Sequence, residues 1–396
     1  MKVFVTVNVL KPPLTGIGRY TLQLLEQLLN HPEIEDIKGF GDQGFLDRIA
    51  IAELVSRLNS QESPSAAQVR GGKLRRWLGH RSFLRRLYRL QLQHRLKTHL
   101  STLKGYVYWE PGYFLLPFQG PCISTLYDLS HIRHPEMHPR ARIVEMSRLL
   151  PQTLAQATRL ITISNFTRQE LIDELEPKQP IDLVSPGVAD TFITIDDVQR
   201  QACRDAYALP ERYILSVATL EPRKNLSGLL KAYAQLPEAM RQTYPLVLAG
   251  APGWHGEELN ALISHLREAG ELLYLGYVDQ AYIPSLYANA SLMVYPSFYE
   301  GYGMPIAEAM ATGCPVITSN CSSMPEVAGD AAILIDPYDI QSITLAIAEV
   351  LTNTSRQNLM RKLGLQRAEE MSWKQRCEAL VKSLKAAQTD YEYVIY

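Results

Sequence analysis

The feature that most constrains the fold is a repeated order of elements. A short apolar run, a loop and an amphipathic helical stretch cycle along the chain in two series. Residues 3–9 are apolar and β-branched, and the loop after them holds Gly16 and Gly18. From Arg19, the segment RYTLQLLEQLLNH sets Leu22, Leu25, Leu28 and Leu29 on one helical face. Strand, glycine loop, helix is how a nucleotide-type α/β domain opens. Further strands are predicted at 106–109, 122–127, 160–163 and 181–184, with helices at 141–157 and 166–174 between them.

After Ser185-Pro186-Gly187-Val188 the pattern resets. A polar stretch over 195–210 reads as linker plus helix. Strands follow at 213–217, 246–249, 272–275, 292–295, 316–318 and 332–335. Helices fit at 225–235, 257–268, 283–288, 305–312 and 340–352. Alternation of this kind favours parallel sheets. With 396 residues, two α/β domains of about 180 residues each are expected, with a ligand cleft between the carboxyl ends of their strands.

Net charge is −1, which argues against a nucleic acid as the main partner. The balance is uneven: residues 1–200 carry 25 Lys+Arg against 20 Asp+Glu, and residues 201–396 carry 15 against 21. Five scattered cysteines form no C-x-x-C pair, so neither a disulfide framework nor a zinc site follows, and a reducing cytosol suits them. The opening MKVFVTVNVL reads as a first buried strand and not a signal peptide. No stretch approaches the ~18 apolar residues of a membrane span, so membrane contact is expected to be peripheral.

The segment LMVYPSFYEGYGMPIAEAMATGCPVI carries the chemistry. A strand ends at Tyr295-Pro296, an aromatic loop reaches Glu300, and Gly301, Tyr302, Gly303 and Met304 lead to Pro305 in the first turn of a helix. Glycines let backbone amides approach an anion, and a helix N-terminus adds unpaired N–H groups and a favourable dipole. Glu308, near the helix start, can accept from a ribose or sugar hydroxyl. Glu300 is placed to touch a sugar. The plainer alternative is a dipole-complementing Glu308 and a solvated Glu300. Thr219-Leu220-Glu221-Pro222-Arg223-Lys224-Asn225 ends the second series' first strand, where Arg223 and Lys224 suit a pyrophosphate and Asn225 a helix cap. A solvated basic turn is the alternative there.

These residues resemble the retaining glycosyltransferases of family 4, with GT-B architecture: two Rossmann-like domains and an interdomain cleft. The resemblance rests on Glu300-GYGMPIA-Glu308, two glutamates separated by seven residues, on the EPRKN run, on Gly313-Cys314-Pro315-Val316-Ile317 and on Pro325-Glu326-Val327-Ala328-Gly329-Asp330. It covers nearly the whole chain. It implies an acceptor domain over 1–190, a donor domain over 191–372 and a C-terminal helical segment, 373–396, that crosses back. It implies catalytic roles for Asp128, Glu300, Arg223 and Lys224. Donor-binding roles fall to Gly16, Gly18, Arg223, Lys224, Val278, Gly301, Tyr302, Gly303, Met304, Pro305 and Glu308, with Val278 in the loop near the nucleobase.

The segment Tyr127-Asp128-Leu129-Ser130-His131 resembles the family's His-Asp-Leu, with Tyr127 replacing the histidine, so a role tied to that imidazole does not carry over. Asp128 would organise the acceptor hydroxyl. His131, His134 and His138 invite a metal reading, but Pro135 and Pro139 break the register that would present them together. No metal is expected, and no cofactor beyond the nucleotide-sugar co-substrate.

The EPRKN and YEGYGMP forms look most like bacterial mannosyltransferases of O-antigen and exopolysaccharide assembly. GDP-mannose is the expected donor, with UDP-glucose, UDP-N-acetylglucosamine and GDP-deoxysugars as the other candidates. A lipid-linked or oligosaccharide acceptor and other polysaccharide-assembly enzymes are the expected partners. A non-catalytic sugar-nucleotide-binding subunit is the rival from another class.

Between Ser63 and Trp109 there is no acidic residue, and Arg75, Arg76, Arg81, Arg85, Arg86, Arg89 and Arg95 alternate with leucines and aromatics. A basic amphipathic helix of this type suits an anionic membrane. It predicts attachment to the inner face of the cytoplasmic membrane through Arg85, Arg86 and Arg89. An ordinary domain helix or a groove for an anionic glycan stays open, as does Arg19 as a phosphate contact or a surface residue.

Overall fold

In a computed structural model that describes residues 1–60, 82–253 and 256–395, the first apolar run forms β1 (Lys2–Thr6). Val3, Phe4 and Val5 are wholly buried, as expected of a central strand covered on both faces. The helix after it, Gly16–Leu29, begins earlier than the leucine pattern indicates. Gly16 and Gly18 are its first turn and not a preceding loop, and the Thr15 hydroxyl caps it by accepting from Gly18 N. A side chain at Gly18 would come within 2.7 Å of the Val9 carbonyl, so close approach of the turn to the loop after β1 requires glycine there.

The strands β2 (Asp36–Gly41), β3 (Gly44–Leu46), β4 (Tyr106–Glu110), β5 (Cys122–Leu126), β6 (Arg159–Thr162) and β7 (Ile181–Leu183) complete a sheet in the order β3-β2-β1-β4-β5-β6-β7. All its pairs are parallel except β2 with β3. The sequence reading missed β2, β3 and the helix Arg48–Ser60. In β2, Gly39 and Gly41 lower strand propensity, yet Gly39 is what lets the helix pack: a side chain there would meet Ile51 Cδ1 at 3.2 Å.

The second sheet contains β8 (Ile214–Val217), β9 (Leu246–Ala249), β10 (Leu272–Gly276), β11 (Leu292–Tyr295), β12 (Val316–Ser319) and β13 (Ala332–Ile335), all parallel, in the order β10-β9-β8-β11-β12-β13. Helices Leu226–Ala234 and Ile340–Thr352 bury Leu229, Leu230, Ile343 and Ile347 in its core. The helix Thr354–Glu369 escaped the periodicity reading because its buried stripe is Met360, Gly364 and Ala368, two of them small. Gly364 lets it lie close to Met310 of the helix Met304–Ala311.

The chain divides into two compact units, Met1–Pro186 with Trp373–Tyr396, and Gly187–Ser372, so the second begins at Gly187 and not at 191. The helix Trp373–Ile395 belongs to the first unit. Trp373 meets Tyr20 edge-on, and Arg159 donates two bonds to Asp182 at 2.8 Å and one to Asp390 at 2.5 Å.

Candidate active site

In open α/β sheets, ligands collect beyond the strand ends where the winding direction reverses. In the second sheet that reversal lies between β8 and β11. The two most specific motifs follow those two strands. After β8, Pro222–Lys224 is a 3₁₀ turn, and Asn225, at φ +51°, caps the next helix by accepting from Gly228 N at 3.2 Å. After β11, the aromatic loop is zipped to that turn: Phe298 N donates to Arg223 O at 2.9 Å, and Arg223 Nη1 donates to Tyr299 O at 2.6 Å.

Glu300 is not a solvated loop carboxylate. Its side chain is 8% exposed and lies between two cations, Arg223 Nη1 at 2.8 Å from Oε2 and Lys224 Nζ at 2.6 Å from Oε1. Tyr295, the last residue of β11, joins the cluster. Its hydroxyl accepts from Lys224 Nζ and donates to Glu300 Oε1, each at 2.8 Å. Burial alone would raise the carboxyl's pKa, but Arg223 and then Lys224 override it and bring it from 4.5 down to about 2. Lys224 is pulled down by burial and by Arg223, against the opposing pull of Glu300. The Tyr295 phenol is pushed well above its ordinary range, first by burial and then by Glu300.

Two serines absent from the sequence reading hold this loop. Glu300 N donates to Ser322 Oγ at 3.0 Å, while Ser323 Oγ donates to the carbonyls of Glu300 and Tyr302 at 2.8 and 2.9 Å. Their signal was positional, since they follow β12, the strand beside β11. Gly301, Tyr302 and Gly303 are buried, and Gly303, at φ +100°, turns the chain into the helix Met304–Ala311. No side chain caps that helix start; Pro305, in its first turn, has no N–H, and Ile306 N donates to Gly303 O at 3.0 Å. Glu308 is further along than the first turn, half-buried, and accepts from the Tyr287 hydroxyl at 3.2 Å. Val278 is buried, just beyond β10.

In the first unit the reversal lies between β1 and β4. Gly16, exposed, and Arg19, half-buried, start the helix after β1. Asp128, half-buried, follows β5, and its Oδ1 accepts from Ser130 N at 3.1 Å and Ser130 Oγ at 2.6 Å. Tyr127 turns away into the core, where its hydroxyl donates to Pro111 O at 2.7 Å. Among the described residues, no three His, Cys, Asp or Glu side chains gather as a metal site.

Of the basic stretch, residues 61–81, with Arg75, Arg76 and Arg81, and the side chain of Arg85 lie outside the described residues. The helix Ser82–Lys97 buries Leu92 and Leu96 and exposes Arg86, Leu87 and Leu90. Arg89 is on the buried side, its Nη2 donating to Leu115 O at 2.6 Å. Among the described residues, no helix is long and apolar enough to cross a membrane.

Residues 200–367 match the family described as "Glycosyl transferases group 1". Over 375 residues the chain is 36% identical to the O-antigen chain mannosyltransferase B of Escherichia coli, covering 94% of this chain and 96% of that one. The chain belongs to the group 1 glycosyl transferases. Another relative, the serotype-specific mannosyltransferase WbdA of E. coli, is 31% identical over 268 residues, 65% of this chain but 32% of that protein. Among solved structures, Anabaena HepE in complex with UDP and glucose superposes with a TM-score of 0.70 at 16% identity, over 98% of this chain and 100% of that one. WaaG, a glycosyltransferase involved in lipopolysaccharide biosynthesis, superposes at 0.65 and 15% identity over 98% and 99%. The two parallel-sheet, Rossmann-like units of this glycosyltransferase are those of the GT-B fold.

Proposed function

We propose that this glycosyltransferase moves mannose from GDP-mannose onto a lipid-linked or growing glycan acceptor in bacterial surface-polysaccharide synthesis, with retention of anomeric configuration. The observation that carries the reading is the buried Glu300 clasped by Arg223 and Lys224 at the second sheet's switch point. The 36% identity to an O-antigen mannosyltransferase favours mannose.

As the bond between the sugar's C1 and the phosphate oxygen breaks, negative charge grows on the leaving diphosphate. Arg223 offers it a planar fork and Lys224 a compact charge, and the start of Met304–Ala311 adds the positive end of its helix dipole. Glu300, ionised and held by its two cations, orients the sugar hydroxyls, and Glu308 holds the ribose. The acceptor oxygen, oriented by Asp128, bonds to C1 on the face the phosphate leaves, and its proton passes to the departing phosphate oxygen. In this scheme the cations and the helix end manage the diphosphate without a bridging metal.

The exposed Arg86, Leu87 and Leu90, the last two 47% and 52% accessible, support docking of this face on an anionic membrane at the cytoplasmic side. A thermal-shift screen of GDP- and UDP-sugars tests the donor. The largest stabilisation is expected with GDP-mannose, and no shift with any nucleotide sugar would remove the basis of the reading.

A further inference from the structure

We infer that Ser130 and His138 are positioning residues for Asp128, forming a directed hydrogen-bond chain that locks its carboxylate for the acceptor hydroxyl. This rests on the role proposed for Asp128 above. The chain runs His138 Nε2 to Ser130 Oγ at 2.9 Å, then Ser130 Oγ to Asp128 Oδ1 at 2.6 Å.

Its direction follows from what each group can donate. An ionised carboxylate only accepts, so Ser130's single hydroxyl proton points to Asp128. The serine oxygen is then an acceptor for His138, which sets the proton of that ring on Nε2. A hydroxyl already polarised by an imidazole N–H makes the stronger, charge-assisted bond to the carboxylate.

The surroundings leave the chain little freedom. Ser130 is 1% exposed. Asp128 N donates to the Tyr113 hydroxyl at 3.1 Å, and Tyr113 is itself a buried non-glycine residue at φ +72°. His138 reaches back across the short helix Ser130–Arg133 because a 3₁₀ turn, Pro135–Met137, and then Pro139 reverse the chain. The proline pair that spoils a metal-binding register therefore aims one imidazole at Ser130. Merely starting the turn at Ser130 needs the bond from its backbone N–H to Asp128. It does not need His138, whose Nε2 nonetheless lies 2.9 Å from Ser130 Oγ. A carboxylate held in one orientation before the acceptor arrives is worth more than one that must be ordered during reaction.

The test measures steady-state kinetics with GDP-mannose as donor and octyl α-mannoside as acceptor. Ser130→Ala and His138→Ala are each expected to lower kcat about tenfold while leaving KM for GDP-mannose unchanged. Because the residues act in series, the double variant should lose no more than the worse single one. His138→Gln, whose amide can donate to Ser130, should recover most of the loss, and it also serves if His138→Ala folds poorly. Wild-type kcat in both alanine variants, beside an impaired Asp128→Asn, would overturn this inference alone, as would losses that multiply in the double variant. Wild-type kcat in Asp128→Asn would instead overturn the role of Asp128 itself.

Discussion

Lys224 Nζ and Glu300 Oε1 are 2.6 Å apart, with side chains only 12% and 8% exposed. A buried ion pair of this kind is asymmetric in its energetics: removing one partner strands the other charge away from water. Glu300 keeps Arg223 when Lys224 is lost, so Lys224→Ala should cost about 2 kcal/mol in urea unfolding. It should also lower turnover at least about tenfold through lost stabilisation of the leaving phosphate. Tyr295→Phe, which removes the hydroxyl shared by both groups, should cost about 1 kcal/mol and leave the ion pair in place. An unfolding midpoint unchanged in Lys224→Ala would mean that Arg223 alone compensates the buried Glu300.

The same pair sets an acid limit. Glu300 titrates at about 2 in the folded protein against an ordinary 4.5, so its pairing stabilises fully above 4.5 and the contribution fades as pH falls towards 2. The stability gap between wild type and Glu300→Gln should be constant from pH 7 to 5 and shrink between 4.5 and 2. Thermal melts of both proteins across that range measure it, and a gap independent of pH would contradict the assignment.

Much of this was legible in the sequence. The strand cycle located most of both sheets, and EPRKN and YEGYGMP follow the two strands that flank the second reversal. What escaped was geometry that no spacing encodes. Tyr295, Ser322 and Ser323 reach Glu300 or its loop only because β11 and β12 are neighbours and β8 stands beside β11. The second strand was hidden by Gly39, needed for helix contact, and the stripe on Thr354–Glu369 by Gly364 and Ala368. Arg89 read as part of a basic surface, but its register with Leu92 and Leu96 turns it inward.

Glu308 accepts from the Tyr287 hydroxyl at 3.2 Å, and the two are substituted separately to weigh their part in donor binding. Glu308→Ala is expected to raise KM for the donor about tenfold with a smaller effect on kcat, and Tyr287→Phe to raise it a few-fold. Initial-rate measurements over donor concentration separate the two parameters. Equal loss in both would place Glu308 in the transition state and not in donor binding.

The exposed face of Ser82–Lys97 predicts binding to vesicles containing phosphatidylglycerol and little binding to neutral vesicles. Arg85/Arg86→Glu should abolish the difference in a flotation assay. Equal binding to both vesicle types by wild type and variant would remove the membrane assignment without touching the chemistry.

Mannosyl transfer with retention is the reaction proposed for the site built on Arg223, Lys224 and Glu300. It is tested most directly by incubating the protein with GDP-mannose and octyl α-mannoside and reading the new anomeric signal by NMR. An α-linked mannosyl product is expected, reduced at least about tenfold in Arg223→Ala. A β-linked product, or undiminished transfer by Arg223→Ala, would contradict it.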